Sequence, residues 1–152
     1  MGYTMMKYGI KPEEGLALYN QYISNWGTEA TYWRLIAVKD GMVAATYTCG
    51  PGSKLHLEVL PSHTHLQERD TYDMASVRIR ILDEHGNVAP YAQLPVQFTL
   101  EGEAELVGPG VVTAEGGMTG TYVKTTGKTG EARLTITTDR TEPVVLIFKI
   151  TA

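Results

Sequence analysis

From residue 54 to the end of the chain, apolar and polar residues alternate. In KLHLEV (54–59), Leu55, Leu57 and Val59 share one side, with His56 and Glu58 on the other. SVRIRIL (76–82) turns Val77, Ile79 and Ile81 inward and Arg78 and Arg80 outward; PVQFTLEG (95–102) does the same with Val96, Phe98 and Leu100. ARLTITT (132–138) contributes Leu134 and Ile136, and VVLIFKI (144–150) contributes Val144, Leu146, Phe148 and Ile150. A period of two is what antiparallel sheets show when one face is buried and the other wet. Turn-forming clusters separate these runs at 83–87, 108–110, 116–117, 127–130 and 139–143. Strands at this spacing over about 100 residues, with no helical period, predict an immunoglobulin-like antiparallel β-sandwich. Val145 and Ile147 stand on the nominal outer face of the last strand, which calls for a cover from the helix described below or from a partner domain.

The stretch DEHGNVAPYAQLPVQF (83–98) fits this picture as a connection. Residues 83–87 turn the chain, and Pro90 and Pro95 interrupt strand pairing, so the chain can cross to the second sheet as a Greek key requires.

The first 53 residues have another rhythm. In KPEEGLALYNQYISNWG (11–27), Leu16, Tyr19, Ile23 and Trp26 recur every three or four residues, which predicts a helix with one apolar face. Pro12 suits the first helical position, Glu13 and Glu14 meet the positive end of the dipole, and Gly27 supplies a left-handed stop. The period then changes to two in YWRLIAVKDGMVAATYT (32–48), where Asp40-Gly41 marks a tight hairpin with positive φ at both residues. Such a turn pairs Val38 with Val43 and Ile36 with Ala45. CGPGS (49–53) then breaks the chain. Two parts result: 1–53, a helix and hairpin that end a preceding domain or form a packing extension, and 54–152, the sandwich.

Composition narrows the chemistry. With 152 residues, 43% apolar and 20% charged, the chain is globular and holds one ordinary domain or one plus part of another. A net charge of −4 without a basic stripe speaks against nucleic acid as a partner. No apolar run nears the roughly 18 residues of a membrane span. The start lacks a basic-then-apolar leader, and Cys49 has no second cysteine to pair with, which favours the cytoplasm slightly and leaves the compartment open.

Several constellations invite chemistry and fall short. GKT (127–129) lacks the earlier glycine of a phosphate loop, with Tyr122 in its place, and a strand rather than a helix follows; it reads as a hairpin turn. His63 and His65, with His56 or His85, present no clear fourth ligand for zinc. Asp70, Asp73 and Asp83 match no calcium-loop spacing. Glu101, Glu103 and Glu105 alternate along one strand-like segment as a solvated face. No serine sits in a nucleophile elbow. No cofactor is implied. Trp33, Tyr32 and Tyr47 are candidate carbohydrate-binding residues, since exposed rings can stack on sugars; the competing reading packs them under the helix face of Tyr19, Ile23 and Trp26.

DTYDMASVRIRILDEHGNVAPYAQLPVQFTLEGEAELVGPG (70–110) and GGMTGTYVKTTGKTGEARLTI (116–136) resemble the C-terminal Ig-like region of bacterial family 2 glycoside hydrolases of the β-galactosidase type. The shared run is an acidic YD, a DEHGN turn, a proline-bearing crossover, EGEAELVGPG and a GTYVKTTGKTGEA hairpin, and it covers residues 70–138. YWRLIAVKDGMVAATYTCGPGSKLHLEVL (32–60) is similar to the junction into that sandwich. The resemblance implies a parent that hydrolyses β-galactosides with retention. Its two catalytic glutamates belong to an upstream TIM barrel of typically about 250 residues, too large for this chain. No catalytic residue carries over. The piece would buttress the parent's other domains, help it form a homo-oligomer, or touch extended glycan. Two rivals come from other classes: a free carbohydrate-binding module, and a surface adhesion repeat, for which no internal repeat is present.

Overall fold

The computed structural model describes residues 2–23, 32–52 and 54–152. The chain divides into two compact units, Met1–Pro51 and Gly52–Ala152.

In the first unit, helix α2 (Pro12–Tyr22) starts with Pro12 in its first turn, and the Lys11 N–H donates to the Glu14 carboxylate at 3.1 Å. Trp26 and Gly27 lie outside the described residues, so the helical face is traced only through Leu16, Tyr19 and Ile23. A shorter helix, α1 (Gly2–Tyr8), precedes it and was not anticipated. Its start carries no acidic residue, but its end has a basic residue, Lys7, followed by Gly9 at φ +65°, a left-handed stop. The hairpin consists of β1 (Trp33–Lys39) and β2 (Met42–Cys49), antiparallel. Asp40 and Gly41 have φ of +52° and +76°, as the two-residue turn demands. Val38 pairs with Val43, but Ile36 pairs with Thr46 rather than Ala45. A bulge between Ala37 and Val38 sets the extra residue, Ala44, into β2 and shifts the register.

The second unit is an Ig-like sandwich. One sheet has four strands in the order β3 (Leu55–Pro61), β5 (Met74–Asp83), β9 (Met118–Thr125) and β7 (Ala104–Val107). The other has five: β4 (His65–Gln67), β11 (Val144–Thr151), β10 (Gly130–Thr138), β6 (Pro95–Gly102) and β8 (Val111–Thr113). All pairings are antiparallel except β4 with β11. The alternation places Val77, Ile79, Ile81, Val96, Phe98, Leu134, Ile136, Phe148 and Ile150 in one core between the sheets. Residues 84–94, with Pro90, carry the chain from β5 in one sheet to β6 in the other.

Two segments differ from expectation. GKT is no hairpin turn: β9 and β10 lie in different sheets, so 126–129 cross the sandwich. β9 is already paired on both edges, by β5 and β7, which leaves β10 to pair with β6 and β11. Nor do Glu101, Glu103 and Glu105 share a face. The run that begins in β6 changes sheets after Gly102, so Glu101 belongs to one sheet, Glu105 on β7 to the other, and Glu103 to the bend between. Gly102 makes that bend possible: its φ is +103°, and a Cβ there would stand 2.2 Å from the Glu131 carbonyl oxygen.

Candidate functional site

The candidate aromatics lie at the base of the β1–β2 hairpin. Trp33 stands opposite Cys49 and Tyr47 opposite Leu35, so their side chains share one face as diagonal neighbours. Tyr32 immediately precedes β1, one residue out of phase with Trp33. All three are well exposed, at 60% for Trp33, 53% for Tyr32 and 52% for Tyr47. They are therefore not packed beneath Tyr19 and Ile23, and α2 itself has no buried residue. The hairpin's other apolar side chains, Leu35, Ile36, Val38, Met42 and Val43, are also exposed, and they occupy both of its faces.

The sandwich carries two carboxylates whose surroundings were not legible in the sequence. Asp73 is the acidic residue of the YD in the family-like run, and with Asp70 and Asp83 it matches no calcium-loop spacing. Its Oδ2 accepts the Gln67 N–H at 2.9 Å, its Oδ1 accepts the Met74 N–H at 2.8 Å, and its own N–H donates to Thr125 Oγ1 at 3.0 Å. Gln67 ends β4 in one sheet, while Met74 and Thr125 belong to β5 and β9 in the other, so Asp73 ties the sheets together at one end. The Gln67 N–H bond, opposed by burial and aided by the Met74 N–H and nearby His63, holds its carboxyl below the ordinary range.

Asp83, expected to begin the 83–87 turn, is buried at the end of β5. Its Oδ1 accepts the N–H groups of His85 (2.8 Å) and Asn87 (2.9 Å), and its own N–H donates to the Asn87 carbonyl at 2.8 Å. Burial pushes the carboxyl up, yet the Asn87 and His85 N–H groups outweigh it and leave the group below its usual value. Asp70 is exposed, and the three aspartates are not brought together as a ligand set. His63 and His65 are exposed, His63 lying 3.7 Å from Asp73. Among the described residues no group of three or more His, Cys, Asp or Glu is arranged to hold a metal. Nor is any described helix long and apolar enough to cross a membrane. Glu103 pairs with Lys128 at 3.5 Å, and Glu105 pairs with Lys124.

The outer faces of the two sheets differ. On the five-stranded sheet the rows read Ile147–Arg133–Glu101 and Val145–Thr135–Thr99, followed by Thr137–Gln97–Val111. On the four-stranded sheet they read Glu58–Arg80–Met118, Leu60–Arg78–Gly120, Ser76–Tyr122–Val107 and Met74–Lys124–Glu105. A shallow depression of about 560 Å³ lies around Leu60, Arg78, Arg80 and Met118. Gly120 leaves one place in this row without a side chain.

A β-sandwich with polar crossings and two carboxylate-stapled loops is a scaffold of the Ig-like class. Residues 57–146 match the family model described as glycoside hydrolase family 2 C-terminal domain 5, and the chain belongs to that family. A β-galactosidase of Thermoanaerobacter pseudethanolicus is 38% identical over 96 residues, which cover 63% of this chain and 13% of that protein. A β-galactosidase of Rhizobium radiobacter is 35% identical over 83 residues, covering 53% of this chain and 58% of that protein. Among solved structures, a glycosyl hydrolase family 2 member from Bacteroides cellulosilyticus superposes with a TM-score of 0.64 at 14% identity, over 80% of this chain and 17% of that one. A β-glycosidase from Bacteroides vulgatus gives 0.63 at 17% identity, with the same two coverages. These two likenesses concern the fold. The chain is a C-terminal domain of the family 2 type, and it spans 13% and 58% of the two β-galactosidases it matches.

Proposed function

We propose that this chain is a non-catalytic accessory domain of a family 2 glycoside hydrolase that acts on β-galactosides, and that it buttresses the parent's other domains. The observation that carries this reading is the match over 57–146 to a C-terminal domain model, joined to two β-galactosidase relatives. The division of labour follows from size: a barrel able to hold two catalytic carboxylates takes about 250 residues. In this reading residues 1–53 are the tail of the preceding domain. A two-stranded sheet with apolar side chains on both faces supports that, because an isolated hairpin is marginal in water and gains stability from further strands or packing.

The test is direct. The complete open reading frame is expressed, with and without the segment 54–152, and hydrolysis of a nitrophenyl β-galactoside is followed. Activity in the complete polypeptide, and a lower thermal midpoint or lost assembly in the shortened one, is the expected result. A reading frame without an upstream barrel would sink the proposal.

A second reading rests on Trp33 and Tyr47, which share one exposed face. Two rings side by side could stack on successive sugars of an extended glycan. Titration of the chain with galactosides and plant oligosaccharides by NMR decides it: saturable shifts at Trp33 and Tyr47 support glycan binding, and silence across the panel removes it.

A further inference from the structure

The sandwich has one face made for water and one that is not. The five-stranded sheet shows solvent a field of threonine and glutamine with opposite charges in cross-strand register, Arg133 beside Glu101 and Glu131 beside Lys149, and Val145, Ile147 and Val111 lie at its margins. The four-stranded sheet shows Leu60, Met74, Val107, Met118 and Tyr122, arranged around Arg78. Met118 is 52% exposed and Tyr122 48%. Solvated sheet faces take short polar and charged residues, whereas protein interfaces are enriched in tyrosine, methionine and arginine. Charge on this face is arranged to match. Glu58 is bonded to Arg80 and Glu105 to Lys124. Arg78, flanked across the strands by Leu60 and Gly120, has no carboxylate within ion-pair distance among the described residues.

The geometry points to the outer face of the four-stranded sheet as a docking surface for another domain of the same parent polypeptide. That domain presents apolar side chains around a carboxylate that seats on Arg78. The inference rests on the parent-enzyme reading above and adds to it which face is covered and by what chemistry. Two observations select this occupant. The matched segment is 13% of the Thermoanaerobacter β-galactosidase, so a family member of that size has ample chain to cover the face. A second copy of this chain fits poorly, because a two-fold interface offers each copy only this same face, whose carboxylates Glu58 and Glu105 are already bonded to Arg80 and Lys124. An unlike surface supplies the missing negative charge. An exposed patch of large apolar residues with a central arginine is also where interface energy concentrates.

Met74 and Met118 are built-in reporters, since thioether oxidation follows solvent exposure. Hydroxyl-radical footprinting is run on this 152-residue chain and on the complete polypeptide. The expected result is about tenfold slower oxidation of Met74 and Met118 in the complete polypeptide, while Val111 on the opposite face keeps its rate. Arg78→Glu is expected to return Met118 to its fast rate in the complete polypeptide and to leave the thermal midpoint of the 152-residue chain unchanged. Equal methionine rates in the two chains would overturn the proposal. Protection that grows with the concentration of the 152-residue chain alone would assign the face to a second copy, and protection on adding a galactan would assign it to glycan; either overturns it. A complete polypeptide that protects both methionines yet cleaves no β-glycoside ends the enzyme reading and leaves the docking face standing. One that cleaves and leaves both methionines fast does the reverse.

Discussion

Asp83 shows how much one carboxylate can hold. It closes β5, starts the crossover, and satisfies two backbone N–H groups from a buried position. Asp83→Asn keeps the shape but gives up the charge on those bonds, and about 1–3 kcal/mol of stability should go with it, read as a lower urea midpoint. The pH dependence has a definite sign. Native Asp83 and Asp73 both titrate below the ordinary 3.8, so the unfolded chain takes up protons first. Their contribution is complete above about pH 5 and fades as pH falls through 3.8 toward the lowered native values. The wild-type midpoint should therefore drop on the acid side of pH 5, and Asp83→Asn should flatten that drop.

Gly102 poses a steeper constraint. Alanine there meets both an unfavourable φ of +103° and a carbonyl oxygen 2.2 Å from its Cβ, which only a parting of β6 and β10 can relieve. Gly102→Ala should cost more than about 2 kcal/mol, and a midpoint unchanged in urea would show that the sheet switch tolerates a side chain.

At the scale of elements, the inward positions carry the sandwich. Phe98 and Leu134 lie in the core from neighbouring strands, and either one changed to Ala should lower stability by about 2–5 kcal/mol in urea unfolding. Their burial was legible because strands of period two declare their inner side, and the same holds for Val77, Ile79, Ile81 and Phe148. The Asp40-Gly41 turn was legible too, since few residue pairs accept two positive φ angles. What local pattern cannot carry is which edges are already taken. The 126–129 connection resembles a hairpin turn, but β9 has β5 and β7 on its two sides, so the chain must cross. The short strands β4 and β8, three residues each, are too brief to show a period. The bulge in β2 is likewise a property of the pair and not of either strand. For the candidate site, the rings of Trp33 and Tyr47 were visible by residue type but their exposure was not, and the Arg78 face needed the registers of β3, β5, β9 and β7 to assemble.

For the whole molecule, stability and burial are unevenly divided. Every residue of the buried core belongs to Gly52–Ala152. No described residue of Met1–Pro51 is buried, and that unit offers two short helices and a two-stranded sheet. A hairpin of that kind does not hold itself together in water, so cooperative unfolding should be a property of the sandwich. A chain reduced to residues 52–152 is then expected to melt as the 152-residue chain does. The difference should be smaller than the roughly 4–8 °C that 1 kcal/mol is worth in a domain of this size. Hydrogen exchange on the intact chain should show the same division: slow amides in β5, β6, β9 and β10, and fast ones in β1 and β2. If residues 1–53 end a preceding domain, as proposed above, the β1 and β2 amides should become slow in the complete polypeptide, where that domain would supply the strands or packing the hairpin lacks. Fast exchange there even in the complete polypeptide would mean that the hairpin is an exposed extension, and the rings of Trp33 and Tyr47 would then be free to meet a glycan.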